Sequence, residues 1–271
     1  MGWIYNAFKQ LNPRFTRVRV VCADDSPADG GELLRLAVES PFEPDILWKG
    51  RNVVWRTNVS GGRAIVVKTF CGSAWSSIRY ALRRSKARKS YEHAVELRRR
   101  GIDTPAPLGF VEVRGLFNIL SHSCYASDYT SYMSLLDAYP LYGYPLLDAF
   151  AAYVADLHGK GIRHDDLNSG NVRVMADGEG GFRFALIDLN RMRIYPPGVP
   201  VPGRCRPLNV FRFTYDYEIF DYFAGRYASV CSMTPAQLAA LKRAKRRHDK
   251  HFWRRKRLLH RMRDFLNFTH K

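Results

Sequence analysis

Acid is scarce in this chain. Only 25 aspartates and glutamates stand against 43 lysines and arginines, so its 271 residues carry a formal charge of +18. Cysteine is scarce too. Cys22, Cys71, Cys124, Cys205 and Cys231 are odd in number and far apart, with no paired spacing for a metal site or redox motif. They read as idle thiols of a reducing compartment. No run of about 18 uninterrupted apolar residues exists, so nothing is expected to span a bilayer. The N-terminal MGWIYNAFKQLNPRF lacks a basic start followed by an apolar core, which excludes a secretory signal. Asn6 stands where a myristoylation motif needs Ser or Thr. No low-complexity tract or internal repeat is present. A cytoplasmic, globular chain is expected.

What is present is 46% hydrophobic and 13% aromatic residues, enough for a large core or for two lobes. VRVVCA at 18–23 reads as a strand, and GELLRLAVES as a short helix after a turn-rich loop. From Ile46 the pattern is β: ILWKG, VVWRTNV, a Gly61-Gly62 turn, then RAIVVKTF. A helix is predicted from about Ser76 to Arg100, closed by Gly101 and kept from resuming by Pro105 and Pro107. GFVEVRG and LFNILSH at 109–122 form another hairpin pattern. A Ser- and Tyr-rich connector with a short helix near 131–138 leads into the strong helix LLDAFAAYVADLHGKG. His158, on its apolar face, reads as a packing residue. Two short strands surround a Gly-rich turn within VRVMADGEGGFRFALIDL, residues 195–207 are proline-rich and irregular, and the remainder is helical.

The chemistry concentrates in HDDLNSGN at 164–171. His164, Asp166 and Asn171 share one loop between a helix and a strand, and Asp188 follows at the end of the apolar run FALI. This set suits phosphoryl transfer: one carboxylate takes the proton of an attacking hydroxyl, while an amide oxygen and a second carboxylate hold Mg²⁺ against phosphates. Upstream, Lys68 stands near the end of the strand AIVVKTF, where an ammonium grips the α- and β-phosphates. Glu92 on the next helix is its expected carboxylate partner, with Glu96 one turn away as the second choice. His164 is expected to support the loop.

In these features the sequence resembles the protein-kinase superfamily, and within it the lipopolysaccharide-core kinases of bacteria, the Kdo kinase and WaaP-like heptose kinase group. RRSKARKSYEHAVELRRRGIDTPAPLGFVE (83–112), GIRHDDLNSGNVRV (161–174) and FALIDLNRMRI (184–194) carry the resemblance, which spans about residues 46–195. It implies an α+β, two-lobed fold: an antiparallel sheet lobe with one main helix over 1–123 (1–40 being an extension outside the pattern), and a mostly helical lobe over 124–271. It implies ATP and Mg²⁺ as cofactors and transfer of the γ-phosphate to a Kdo or heptose hydroxyl of the lipopolysaccharide inner core. Residue by residue it implies Lys68 on the phosphates, Glu92 in its ion pair, Asp166 as catalytic base, and Asn171 and Asp188 on metal. Gly50 and Asn52, in GRNVVWR, are the nucleotide-loop candidates.

Several positions depart from the protein-kinase pattern. Gly50 stands alone where three glycines are usual, Asp188 is followed by Leu189-Asn190, Asp165 replaces an arginine that reads a phosphorylated loop, and Asn168 replaces a lysine. These changes argue against a protein substrate and favour a glycolipid or sugar acceptor. A small-molecule phosphotransferase of the aminoglycoside-kinase type and a nucleotide-binding pseudokinase remain as alternatives. Arg191 and Arg193 are equally readable as contacts to an anionic acceptor and as solvated side chains. Between Lys242 and Arg263, twelve Lys or Arg stand against Asp249 alone. Interleaved with Leu238, Leu241, Phe252, Trp253 and Leu258, they allow either an amphipathic helix on an anionic membrane surface, which would place the protein peripherally at the inner face of the inner membrane, or a helix packed on the core. Nucleic acid is not expected as a partner.

Overall fold

A computed structural model describes residues 16–24, 26, 28–38, 45–71 and 74–268. Asn6 and the rest of the extension before Thr16 lie outside them. The chain divides into two compact units: one runs to Ser131 and takes in Ala185–Arg191, and the other comprises Tyr132–Phe184 and Met192 onward. The expected division at 123/124 falls inside a strand.

The first unit is a six-stranded antiparallel sheet in the order β1-β5-β6-β4-β3-β2. Its strands are β1 (Arg17–Cys22), β2 (Asp45–Lys49), β3 (Asn52–Asn58), β4 (Ala64–Phe70), β5 (Pro107–Arg114) and β6 (Leu120–Asp128). Strict alternation gives the sheet two faces. Trp55, Ile65, Val67, Val111, Val113, Cys124 and Ala126 point one way and bury themselves with Leu33, Leu36 and Ala37 of helix α1 (Gly30–Val38). At Gly109 a Cβ would lie 2.3 Å from the Val21 carbonyl oxygen and 2.5 Å from Leu33, so only glycine lets β1 and α1 close on β5. On the opposite face, Val54, Lys68, Tyr125 and Phe110 are register partners across four strands. Helix α3 (Lys86–Arg99) covers this face, with Tyr91 packed on Phe110 at 5.5 Å between ring centroids.

The helix expected over 76–100 is two helices, α2 (Ala74–Arg79) and α3, separated by a bend. A side chain from β5 holds it: Arg114 donates to the carbonyls of Tyr80 and Arg83, where the chain has left the helix for a turn closed by the Arg83 N–H on the Tyr80 carbonyl. Ser85 then restarts the helix as N-cap, accepting from the Arg88 N–H at 3.0 Å. Gly101, at φ 69°, ends it, and the Ile102 N–H closes back on the Leu97 carbonyl at 2.9 Å.

The second unit is largely helical. Helix α4 (Leu135–Gly159) breaks at Gly143, flanked by Pro140 and Pro145, which divides the short helix from the strong one as expected. Its second half buries Leu146, Leu147, Phe150, Ala151, Val154 and Leu157 against Phe220, Phe223 and Tyr227 of α6 (Tyr217–Val230). The short α5 (Arg206–Val210) precedes α6, and α7 (Pro235–Phe268) closes the chain. Small strands carry the polar motif. β8 (Ile162–His164) pairs with β11 (Met192–Ile194), and β7 (Met133–Ser134), β9 (Val172–Ala176) and β10 (Phe182–Leu186) form a three-stranded sheet. The HDDLNSGN loop joins β8 to β9.

Candidate active site

In the first unit, Lys68 leaves β4 on the sheet face covered by α3, and its ammonium meets the Asp188 carboxylate at 2.6 Å. Asp188 follows β10 with φ 58°, in the left-handed region that costs a non-glycine residue about 1 kcal/mol. The Asn190 amide donates to the same carboxylate. Lys86, the first residue of α3, joins the group. The Lys68 and Lys86 ammoniums lie 5.5 and 5.9 Å from the Phe70 ring. Burial pushes the Lys86 ammonium below its usual pKa, and the neighbouring charges of Arg51, Arg191 and Lys68 push it further. Lys86 thus stands within electrostatic reach of three further cations and of the Asp188 carboxylate, a four-cation cluster that favours an anion. Gly50 and Asn52 form the β2–β3 turn, with the Gly50 N–H on the Asn52 carbonyl at 3.1 Å. Asn52 shares the Lys68 face by register, and its buried Oδ1 has no hydrogen-bond partner among the described residues.

Glu92 differs from expectation. Its carboxylate takes Arg88 at 2.7 Å, one turn back on the same helix, and Arg84 at 3.0 Å; Lys68 pairs with Asp188 instead. The reason lies in the helix face. Ala87, Ser90, Ala94 and Leu97 are the buried residues of α3, which leaves Glu92 on the flank among arginines. Glu96, the second choice, is held by Arg99 and Arg100, both at 2.7 Å, and its carboxyl is lowered to about 2, first by the Arg99 hydrogen bond. The side chain that does reach from α3 to the Asp188 segment is His93, whose Nδ1–H donates to the Leu189 carbonyl at 2.7 Å. Burial lowers its pKa, and the bond to the Leu189 carbonyl opposes that shift.

In the second unit the loop is held by its own asparagines. Asn168 Oδ1 accepts from the N–H groups of Gly170 and Asn171 at 3.0 and 3.1 Å, an Asx turn. The amide nitrogens of Asn168 and Asn171 both donate to the Asp166 carbonyl, at 3.2 and 2.9 Å. With its nitrogen so engaged, Asn171 offers Oδ1 as the free atom type that a hard cation prefers. His164 is fully buried, and its Nδ1 accepts the Asp166 N–H at 3.2 Å. That contact supports the loop rather than reaching substrate. Asp165, in place of an arginine, is gripped by Arg163 from β8 and by Arg193 from β11 at 3.0 Å. Arg193 is therefore tied to Asp165 through Nε while the rest of its side chain stays exposed. Arg212 donates to the Asp166 carboxylate at 3.0 Å.

Sequence reasoning missed Lys86, His93 and Arg212. Lys86 and His93 flank the chosen Glu92 on the same helix, where face counting from the sheet side would have found them. Arg212 sits in NVFRFTYDY, which carries no motif. Among the described residues no group of three or more His, Cys, Asp or Glu is placed to hold a metal. Mg²⁺ needs no such cage, since it keeps waters and takes most of its remaining ligands from phosphates, and Asn171 and Asp188 each offer, in their own unit, the kind of oxygen it prefers.

Residues 141–197 match the family described as "Lipopolysaccharide kinase (Kdo/WaaP) family". That segment contains His164, Asp166, Asn171 and Asp188. A solved structure, "WaaP in complex with acyl carrier protein", is similar with a TM-score of 0.56 and 18% identity, covering 84% of this chain and 98% of that chain. No curated protein matches the sequence. The findings bear out the resemblance drawn from the motifs, the kinase-like α+β fold, and the reading of the chain as a kinase.

Proposed function

We propose that this kinase transfers the γ-phosphate of ATP to a sugar hydroxyl, of Kdo or heptose, in the inner core of lipopolysaccharide. The observation that carries the reading is the pair of constructed half-sites, each with its polar groups committed. In one unit Lys68 and Asp188 meet among further cations; in the other Asp166 and Asn171 are fixed by an Asx-turn loop within the family-matched segment.

In this mechanism Asp166 accepts the proton of the acceptor hydroxyl while its oxygen bonds to the γ-phosphorus. The bond from that phosphorus to the β–γ bridging oxygen breaks, and ADP leaves. Lys68, with Lys86 and Arg51 beside it, neutralises the phosphates. Asn171 and Asp188 would hold Mg²⁺, which supplies charge neutralisation of the phosphoryl oxygens. The orphan Oδ1 of Asn52 would accept a nucleotide N–H or O–H, with Gly50 keeping the turn tight. His93 fixes the Asp188 segment, and Glu92 contributes no contact to Lys68.

The test is phosphate transfer from ATP to purified Kdo-lipid A, read as the mass of one added phosphate, for wild type and Asp166→Asn. The expected result is product with wild type and a loss of about 10³-fold in the variant. Folded wild type that binds ATP and yields no product on Kdo- or heptose-terminated acceptors would sink the reading.

A peripheral membrane location is part of the proposal. No helix among the described residues is long and apolar enough to cross a membrane. In α7, Leu241, Lys245 and Asp249 are buried at helical spacing and Phe252 stacks on Tyr215, so the first half packs on its own unit. From Trp253 to Leu258 every side chain is exposed, with Arg254, Arg255, Lys256 and Arg257 in succession. Truncation after Phe252 is expected to abolish sedimentation with anionic vesicles while sparing turnover of a soluble acceptor; retained sedimentation would refute the anchoring role.

A further inference from the structure

The least expected group in the second unit is Lys245. Its side chain is 0% exposed, on the buried face of α7. The ammonium donates to the carbonyls of Phe211 at 2.6 Å and Thr214 at 2.7 Å, and meets Asp249, one turn along and 2% exposed, at 2.8 Å. The rings of Tyr215 and Phe220 lie 5.1 and 5.3 Å from it. An ammonium so desolvated is tolerated only when each proton has an acceptor, and here all three do. Two of those acceptors are backbone atoms at either end of the segment 211–214, so Lys245 clamps that segment at both ends. What it presents between them is Arg212.

Arg212 donates one terminal nitrogen, Nη1, to Asp166 Oδ1 at 3.0 Å. Its side chain stays 40% exposed, and the other guanidinium N–H groups make no hydrogen bond among the described residues. A permanently charged, forked donor therefore sits on the base with its remaining edge open. Holding Asp166 would need one nitrogen, and an asparagine or lysine would do it. The open fork is the part left for a ligand, and a planar guanidinium matches a carboxylate or phosphate in two parallel hydrogen bonds.

Resting on the kinase reading above, we propose that Arg212 recognises an anionic group, carboxylate or phosphate, carried by the acceptor sugar close to the hydroxyl it presents to Asp166. Lys245 is the positioning residue that holds Arg212 there. The acceptor is thus a sugar acid or an already phosphorylated sugar rather than a neutral one. A hydroxyl within hydrogen-bond reach of Asp166 lies about 3 Å from a carboxylate oxygen, and Arg212 contacts that same carboxylate, so a substituent within about three bonds of the reacting carbon reaches the open fork.

The experiment uses the full chain and four glycolipid acceptors: Kdo-terminated with its free carboxylate, the same as methyl ester, heptose-phosphate-terminated, and neutral heptose-terminated. Wild type is expected to favour an anionic acceptor over its neutral counterpart by on the order of tenfold to a hundredfold in kcat/KM, the range of a charge-assisted hydrogen-bonded pair. Carboxylate against ester and phosphate against neutral heptose identify which anion is read. Arg212→Gln is expected to lower kcat/KM on every acceptor through its bond to Asp166, but by at least tenfold more on the anionic one, so that the ratio falls toward unity, and Arg212→Lys to restore part of it. Lys245→Met alone strands the Asp249 carboxylate, so the isosteric pair K245M/D249L carries the positioning claim. It is expected to fold and to lose the anionic preference while keeping its KM for ATP. Equal losses of R212Q on charged and neutral acceptors would reduce Arg212 to a tie on Asp166 and overturn the proposal. A double variant that keeps the wild-type ratio would remove Lys245 from it. If wild type phosphorylates none of the four, the kinase reading fails separately. Equilibrium binding of free Kdo against its methyl ester, and of heptose phosphate against heptose, then decides the Arg212 proposal, and equal affinities within both pairs overturn it.

Discussion

The two half-sites are built by opposite means. In the second unit Asp166 and Asn171 lie five residues apart, and nearly every bond that orders their loop comes from the loop itself: Asn168 onto Gly170 and Asn171, Asn171 onto Asp166, and Asp166 onto His164. In the first unit Lys68 and Asp188 are 120 residues apart and meet only because β4 and the segment after β10 are brought together by the fold. Short-range chemistry fixes the geometry of the first kind of site whatever surrounds it. In the second kind, partner choice belongs to tertiary packing, and any nearby cation or carboxylate competes for the place.

The sharpest way to break that comparison is to remove one member of the long-range pair. Lys68→Met and Asp188→Asn are each expected to lower kcat on the order of 10³-fold, because charge neutralisation at the phosphates is the largest contribution a protein makes to phosphoryl transfer. Lys68→Met should also weaken ATP binding more than adenosine binding, and isothermal titration with both ligands checks this. Equal effects on the two ligands would place Lys68 away from the phosphates and detach the first unit from the chemistry.

A second comparison concerns the histidines, and it is read in stability. His93 of the first unit is partly open, whereas His158 of the second is 0% exposed, with Nδ1 on the Tyr227 hydroxyl at 2.7 Å. Burial first, then the charges of Arg206 and Arg163, lower the His158 imidazole to about 3. Its folded pKa lies below the unfolded value of 6.5, so the unfolded chain binds more protons in between. The stabilisation is present above pH 6.5 and is lost as pH falls toward 3, by about 4 kcal/mol at the bottom of that range. Urea unfolding of wild type and His158→Leu at pH 7 and 4.5 measures it. The variant should lose markedly less stability on acidification, and parallel losses would show that carboxylates elsewhere set the acid limb.

Legibility in the sequence follows the same division. The HDDLNSGN loop was readable because the residues proposed for its chemistry and those that order it are the same contiguous ones. The β hairpins were readable because Gly61-Gly62 and the alternation of AIVVKTF are local signals. Less visible was the bend between α2 and α3, since Arg114 holds it from 30 residues downstream. The tail admitted two readings because both belong to one helix: its buried stripe ends near Phe252, and its exposed basic stretch begins at Trp253. Lys245 counted as one more surface charge in a basic run, and nothing in its neighbours announces that Phe211 and Thr214 turn their carbonyls toward it.

Glu92 is where the comparison yields its smallest expected effect and its clearest lesson. Motif order named it as the partner of Lys68, since a glutamate on the helix after the lysine strand is what the kinase pattern supplies. The helix face decides otherwise: Ser90 occupies the buried position, and Glu92, 32% exposed, closes an i,i+4 pair with Arg88 and a second with Arg84. Pairs of this exposure are worth about 0.5 kcal/mol each. Glu92→Gln is therefore expected to change kcat by less than about threefold and to leave ATP affinity intact, against the 10³-fold cost of Lys68→Met. A fall in E92Q comparable to that of K68M, measured on the same acceptor, would mean that Glu92 exchanges its arginines for Lys68 during turnover. Asp188 would then be released from Lys68, and the four-cation cluster would be a resting arrangement rather than the working one.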